Sequence, residues 1–212
     1  MTISAVDFAS LLCSRLCHDL LSPVGALNNG LELLTDETDP AMRERCMALL
    51  AESARTSANK LKFFRLAFGA GGGFGELVDT REARAAIEGL LEGKRVEIGW
   101  LVEEDRLPKL AIKVLLNLAM IGGDALVRGG KLDIGAEHEG GQVEIVLRAA
   151  GPRLILDEEL RSTLTHGSAG DAVTPRGAAA YLTHALAESA GGSVQVGEAE
   201  DGTLLLGATL RG

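Results

Sequence analysis

The chain has 212 residues, which fits one large domain or two small ones. Its 30 acidic and 21 basic residues give a net charge of −9, a balance that argues against a protein that binds nucleic acid or anionic lipid. Apolar residues make up 46% of the chain and aromatic residues only 3%, so we expect a folded protein with an aliphatic core.

The sequence also predicts a cellular compartment. The first residues lack the basic region of a secretory signal, and no apolar stretch reaches the ~18–20 residues that span a membrane. The three cysteines, Cys13, Cys17 and Cys46, cannot all pair and lie among helix-forming residues, which indicates a reducing environment. We therefore expect a cytoplasmic protein that does not contact membranes.

The first 70 residues have the pattern of two long helices. Apolar residues recur at steps of three or four from Ser4 to Leu34. After a polar connector over Thr35 to Thr38, Asp39 as N-cap and Pro40 at the first helical position start a second helix, which Gly69 ends. The apolar stripes are Leu12, Leu16, Leu20, Pro23, Leu27, Leu31 and Leu34 on the first helix, and Met42, Cys46, Leu49, Leu50, Ala54, Leu61, Phe64 and Phe68 on the second.

A two-helix hairpin cannot bury both of its apolar stripes. Each helix has a single neighbour, so about half of each apolar stripe stays in contact with water. We therefore predict a homodimer in which two hairpins form a four-helix bundle. The alternative is that the C-terminal half of the same chain covers the stripes.

The remainder of the chain has mixed periodicity and predicts an α/β sandwich. Gly71-Gly72-Gly73 indicates a boundary, so we predict domains at residues 1–70 and 75–212. The predicted helices are Asp79 to Leu91 with an Asp79/Glu82 capping box, Pro108 to Val127, Asp157 to Leu164 and Pro175 to Ala190. The predicted strands are Val96 to Val102, a hairpin of Lys131 to Glu137 and Val143 to Ala149, and a second hairpin of Ser193 to Ala199 and Thr203 to Leu210.

His18 is the candidate functional residue of the first helix. Measured at 100° per residue from Leu16, the apolar stripe lies within about 60° of zero, whereas His18 falls near 200°. The imidazole therefore points away from the bundle centre. A neutral imidazole nitrogen is a nucleophile near pH 7, which fits phosphoryl transfer. The alternative is a solvated surface histidine with no chemical role, which composition alone does not exclude.

Three neighbours of His18 suit this chemistry. Arg15, one turn earlier, is a candidate to pair with a phosphoryl oxygen. Asp19 is a candidate either to hold the other ring nitrogen and fix the tautomer or to act as a base. Pro23 removes a backbone N–H and is expected to bend the helix.

The run Arg15-Leu16-Cys17-His18-Asp19-Leu20-Leu21-Ser22-Pro23 resembles the H-box of sensor histidine kinases, in which a phosphorylatable His precedes an acid, a small hydroxyl residue and a Pro. The longer context resembles the ChpT-type histidine phosphotransferases of bacterial phosphorelays. That context comprises Asp7-Phe8, Asn28-Asn29-Gly30-Leu31-Glu32-Leu33-Leu34 and Phe64-Arg65-Leu66-Ala67-Phe68-Gly69-Ala70.

The resemblance implies a dimeric helical bundle with an attached domain like the histidine-kinase ATPase (Bergerat) fold. It also implies that His18 carries a phosphoryl group from the receiver domain of a hybrid histidine kinase to a downstream response regulator. Receiver domains supply their own Asp and Mg²⁺, so we expect this chain to need no cofactor of its own.

The same resemblance predicts that the C-terminal domain does not bind ATP. Where an N-box supplies an Asn for Mg²⁺, this chain has Ile121, which offers no oxygen ligand. Where an Asp should bond adenine, the sequence reads Ala149-Ala150-Gly151-Pro152-Arg153. The glycine-rich phosphate loop is replaced by Ala172-Val173-Thr174-Pro175-Arg176-Gly177-Ala178-Ala179, which has a single Gly.

The outer face around His18 is the predicted docking surface for a receiver domain, and it comprises Ser14, Leu21, Ser22 and Gly25. Two alternatives remain open at this point. One is an autophosphorylating kinase with an atypical ATP site, and the other is a scaffold that binds receiver domains without catalysis.

Overall fold

A computed structural model describes residues 3–69, 76–167, 173–197 and 203–211. Within these residues the chain forms six helices and seven strands. The helices are α1 (Ala5–Asp36), α2 (Pro40–Ala67), α3 (Thr80–Leu91), α4 (Lys109–Ala125), α5 (Glu158–His166) and α6 (Ala178–Ser189). The strands are β1 (Leu77–Asp79), β2 (Val96–Trp100), β3 (Arg106–Pro108), β4 (Gly130–Glu139), β5 (Gln142–Ala150), β6 (Ser193–Gly197) and β7 (Thr203–Arg211).

The predicted helical hairpin is confirmed, and side chains cap both of its helices. The Ser4 hydroxyl accepts a hydrogen bond from the Asp7 N–H at the start of α1, and the Asp39 carboxylate accepts one from the Ala41 N–H at the start of α2. The two helices approach closely at Gly30, where a Cβ would lie 2.9 Å from Leu50 Cδ2. A glycine at this point lets the hairpin pack tightly.

The α/β sandwich is also confirmed. Five strands form one sheet in the order β2-β4-β5-β7-β6, with β2 and β4 parallel and every other neighbouring pair antiparallel. Alternate residues of the central strands are buried, as in the row Ile134–Leu147–Leu206, which the register places side by side. Helices α3, α4 and α6 contact the sheet and bury this face. Gly140 and Gly141 form the β4–β5 turn with positive φ angles of 58° and 79°, as a tight hairpin turn requires.

Three details differ from the sequence-based expectation. Strands β1 and β3 pair as a small separate sheet that was not predicted, because three residues are too short to show a period of two. Helix α6 begins at Ala178 and not at Pro175, since residues 175–177 form a turn. Asp79 caps α3 as predicted, but Glu82 forms an ion pair with Arg65 of α2.

The hairpin and the α/β half share one hydrophobic core. Phe63, Phe64, Leu66 and Ala67 at the end of α2 are buried in the same cluster as the sheet residues, and α2 packs on α3 and α4. The predicted boundary between residues 1–70 and 75–212 falls on residues 70–75, outside the described ranges, and stays a prediction.

Candidate functional site

His18 lies in the first half of α1 with 86% of its side chain exposed. The neighbouring residues Ser14, Leu21 and Ser22 are exposed as well, and the Leu21 side chain is 73% exposed. Gly25, one turn further on, is half-buried, and a Cβ built on it would meet no atom within 4 Å. The surface around the imidazole is therefore open to another macromolecule.

The Asp19 carboxylate lies beside the imidazole. Its Oδ1 is 3.2 Å from Nδ1 of His18, and its Oδ2 accepts a hydrogen bond of 2.6 Å from Nε of Arg15. A carboxylate next to Nδ1 favours the tautomer with the proton on that nitrogen. The other ring nitrogen, Nε2, then keeps its lone pair and is the atom available for nucleophilic attack.

Arg15 is only 15% exposed, and its guanidinium contacts two carboxylates. Besides the bond to Asp19, its Nη2 lies 3.4 Å from Oδ2 of Asp124, at the end of α4. Lys94 donates to the other oxygen of Asp124 at 2.7 Å. The pairing of Arg15 with a phosphoryl oxygen stays a prediction, and in the structure its guanidinium contacts Asp19 and Asp124.

Two further residues of this site, Asp124 and Lys60, were not predicted from the sequence. Asp124 contacts Arg15 across 109 positions of sequence, and Lys60 of α2 donates a hydrogen bond of 2.7 Å to the backbone carbonyl of Asp19. The contact with Asp124 leaves no signal in the sequence. For Lys60 there was a signal, because Pro23 has no N–H to bond the carbonyl four residues earlier, so that carbonyl needs another donor.

The positions at which the sequence departs from the motifs of an ATP site lie in the α/β half. Ile121 of α4 is 5% exposed and belongs to the hydrophobic core, and Ala149 at the end of β5 is buried. The segment after β5 folds back on α4, with the Ile155 N–H donating to the Ala125 carbonyl at 3.0 Å. Of the region predicted to replace the phosphate loop, residue 172 lies outside the described ranges, and residues 175–177 form a turn.

Among the described residues, no group of three or more His, Cys, Asp or Glu side chains is arranged to hold a metal ion. None of the described helices combines the length and the apolar character that crossing a bilayer requires.

The sequence matches the histidine phosphotransferase C-terminal domain over residues 80–202. It is 36% identical over 196 residues to protein phosphotransferase ChpT of Brucella abortus (strain 2308), a match that covers 92% of each chain. A solved structure of a bacterial phosphotransferase is similar with a TM-score of 0.86 and 35% identity, over 98% of both chains. The solved structure of the histidine kinase AdeS of Acinetobacter baumannii matches with 13% identity and a TM-score of 0.48, over 92% of this chain and 97% of that chain.

The hairpin and the α/β half together match a phosphotransferase over nearly their whole length, so the protein is a phosphotransferase by class. The chain belongs to the histidine phosphotransferase family, and the predicted ChpT-type resemblance is confirmed.

Proposed function

We propose that this phosphotransferase works in a two-component phosphorelay and carries a phosphoryl group on His18. It accepts the group from the receiver domain of a hybrid histidine kinase and donates it to the receiver domain of a response regulator. The observation that carries the proposal is an imidazole that is 86% exposed while its Nδ1 contacts Asp19. This arrangement leaves a fixed nucleophile, Nε2, accessible to the active site of a docked partner.

The proposed reaction consists of two phosphoryl transfers, one onto His18 and one off it. The lone pair of His18 Nε2 attacks the phosphorus of the receiver's aspartyl phosphate, and the P–O bond breaks with its electron pair returning to the receiver carboxylate. The imidazole gains positive charge as the N–P bond forms, and the Asp19 carboxylate at Nδ1 stabilises that charge. In the second transfer a carboxylate oxygen of the next receiver attacks phosphorus, and the N–P bond pair returns to Nε2.

The chain needs no nucleotide in this scheme, and the Mg²⁺ that neutralises the phosphoryl oxygens belongs to the receiver. The aliphatic side chains of Ile121 and Ala149 at the compared positions support this part of the proposal, since they offer no oxygen to a metal or a hydrogen bond to adenine. The receiver docks on the outer face formed by Ser14, Leu21, Ser22 and Gly25.

The working form in this proposal is a homodimer, supported by two exposed stripes of apolar and small residues. The α1 stripe comprises Val6, Cys13, Cys17, Val24 and Leu31, and the α2 stripe comprises Met47, Ala51, Ala54, Ala58 and Leu61; all ten residues are exposed in the single chain. Each stripe advances in steps of three, four or seven residues, which keeps it on one side of its helix. Two hairpins that pair through these stripes would close a four-helix bundle.

The compartment in this proposal is the cytoplasm. Cys13 and Cys17 are exposed free thiols one helical turn apart, and Cys46 is a buried free thiol. Cysteines that stay unpaired in this way are typical of a reducing environment, whether or not the proposed bundle covers Cys13 and Cys17.

Incubation with a receiver domain carrying labelled phosphate tests the proposal directly. The wild-type protein should acquire the label, and His18→Ala should acquire none, because Nε2 is the only acceptor in the scheme. His138→Ala is the matched control, since His138 is exposed on β4 far along the chain from the H-box, and it should be labelled like the wild type.

Two outcomes would contradict the proposal. Labelling by ATP without any partner would identify an autophosphorylating kinase. A receiver that binds the wild type and His18→Ala equally, with no label transferred to either, would identify a scaffold.

A further inference from the structure

Pro23 leaves a defect in the hydrogen-bond ladder of α1. In an α-helix the N–H of each residue bonds the carbonyl four positions earlier, and proline has no N–H. Pro23 lies in the interior of α1, so the carbonyl of Asp19 lacks its helical donor. That carbonyl belongs to the residue next to His18, so the defect lies within the turn that carries the nucleophile.

Lys60 fills this defect from the other helix of the hairpin. Its ammonium group donates to the Asp19 carbonyl at 2.7 Å, across 41 positions of sequence. The side chain is half-buried, which reduces competition from water. Hydrogen bonds with a charged donor are roughly twice as strong as neutral ones, so the ammonium is an effective replacement for the missing amide.

Asp19 is thus held both at its backbone and at its side chain. Lys60 binds its backbone carbonyl, and Arg15 binds its Oδ2 at 2.6 Å, which leaves Oδ1 directed at Nδ1 of His18. A change in either contact would move the carboxylate relative to the ring. A misplacement of about 1 Å in a reacting constellation costs on the order of 100-fold in rate.

We propose that Lys60 is a positioning residue for phosphoryl transfer: it replaces the amide N–H that Pro23 lacks and thereby fixes Asp19 and His18. The inference rests on the proposed role of His18. Lys60 acts through the Asp19 backbone and does not contact the phosphoryl group.

The test restores the missing donor by a second route. Lys60→Met keeps an unbranched side chain of similar length but removes the ammonium, and we expect transfer to slow by about tenfold or more. Pro23→Ala supplies an N–H to the Asp19 carbonyl, so the double variant Lys60→Met/Pro23→Ala should recover most of the lost rate. Lys62→Met, which changes an exposed lysine two residues away, is the control and should transfer at the wild-type rate.

Nitrogen NMR of His18 gives a readout that does not depend on transfer. In Lys60→Met the ring signals should shift toward a mixture of tautomers, and in the double variant they should return to the wild-type positions. The melting temperature of each variant shows whether it is folded when its rate is measured.

Two results would overturn the inference. One is a Lys60→Met protein with wild-type rate and wild-type ring signals. The other is a double variant as slow as Lys60→Met while Lys60→Arg is fully active, which would show that positive charge, and not the bond to the carbonyl, is required. Absence of label on wild-type His18 would refute the proposed function instead, and the NMR signals would still test the link between Lys60 and Pro23.

Discussion

Asp19 contacts more of the site than any other single residue described near His18. Its carboxylate contacts His18 and Arg15, and its carbonyl contacts Lys60. The functional geometry therefore depends on one residue that three others hold, each from a different direction.

Gly25 allows a direct test of the docking face. Gly25→Arg should fit within the protomer, because a Cβ there meets no atom within 4 Å, and replacing a helical Gly stabilises the helix by about 1 kcal/mol. The melting temperature should therefore hold or rise, whereas transfer from a phosphorylated receiver should slow by about tenfold, corresponding to about 1.4 kcal/mol at the interface. Gly25→Ala should keep the wild-type rate. Equal rates for both variants would show that the receiver docks elsewhere.

At this scale the sequence predicts some contacts and not others. His18 and Asp19 are adjacent on one helix, so helical geometry alone places them together and outward. Asp124 approaches Arg15 only through tertiary packing of the α/β half against α1, and its second cation, Lys94, is 30 positions away in sequence, so no local pattern encodes either contact. Lys60 is intermediate, since Pro23 indicates that a donor is missing but not which residue supplies it.

Among the elements, α1 and α2 were the most predictable. Each carries a long apolar period, and the structure confirms Asp39 as the predicted N-cap of α2. Ser4 caps α1, although it was not predicted as a cap. Strands β1 and β3 were not predictable, because a strand of three residues has no period and gains its stability from long-range pairing such as Val78 with Leu107. In the single chain the hairpin also leaves the α1 stripe and the α2 stripe exposed to solvent.

The α2 stripe provides the test of the dimer. Ala54→Lys places a charge in the middle of the stripe, where the bundle would have to bury it, so the variant should be a monomer in sedimentation equilibrium. Its far-UV circular dichroism should be unchanged, since Ala54 is exposed in the single chain. Glu52→Lys, on the outward face of the same helix, should remain dimeric. A dimeric Ala54→Lys protein would exclude this face as the interface.

At the scale of the whole molecule, the N-terminal hairpin and the C-terminal α/β half do not have separate hydrophobic cores. Phe63 is fully buried at the end of the hairpin and belongs to the cluster that includes Leu115 and Leu147 of the α/β half. Further along the interface, the rings of Phe8 and Tyr181 lie 5.2 Å apart between α1 and α6. From these contacts we expect the hairpin and the sheet to unfold together.

Phe63→Ala tests this coupling in the intact protein. Removing a buried Phe costs about 3–5 kcal/mol, so thermal unfolding should shift to lower temperature. If the halves are coupled, Trp100 fluorescence, which reports on β2, should shift as far as the helical circular dichroism. Leu33→Ala, at a position 63% exposed on α1, should change neither transition by much. A shift in the helical signal alone would show that the halves unfold independently.

In the proposed function, the exposure of His18 affects how long a phosphoryl group stays on the imidazole. Among the described residues the imidazole is 86% exposed, so water reaches a phosphoramidate formed there as freely as a partner does. The lifetime of such a bond is then set by its own hydrolysis and by the speed with which the next partner arrives. Under the proposed function, an imidazole this exposed is suited to rapid transfer of the phosphoryl group and not to long retention.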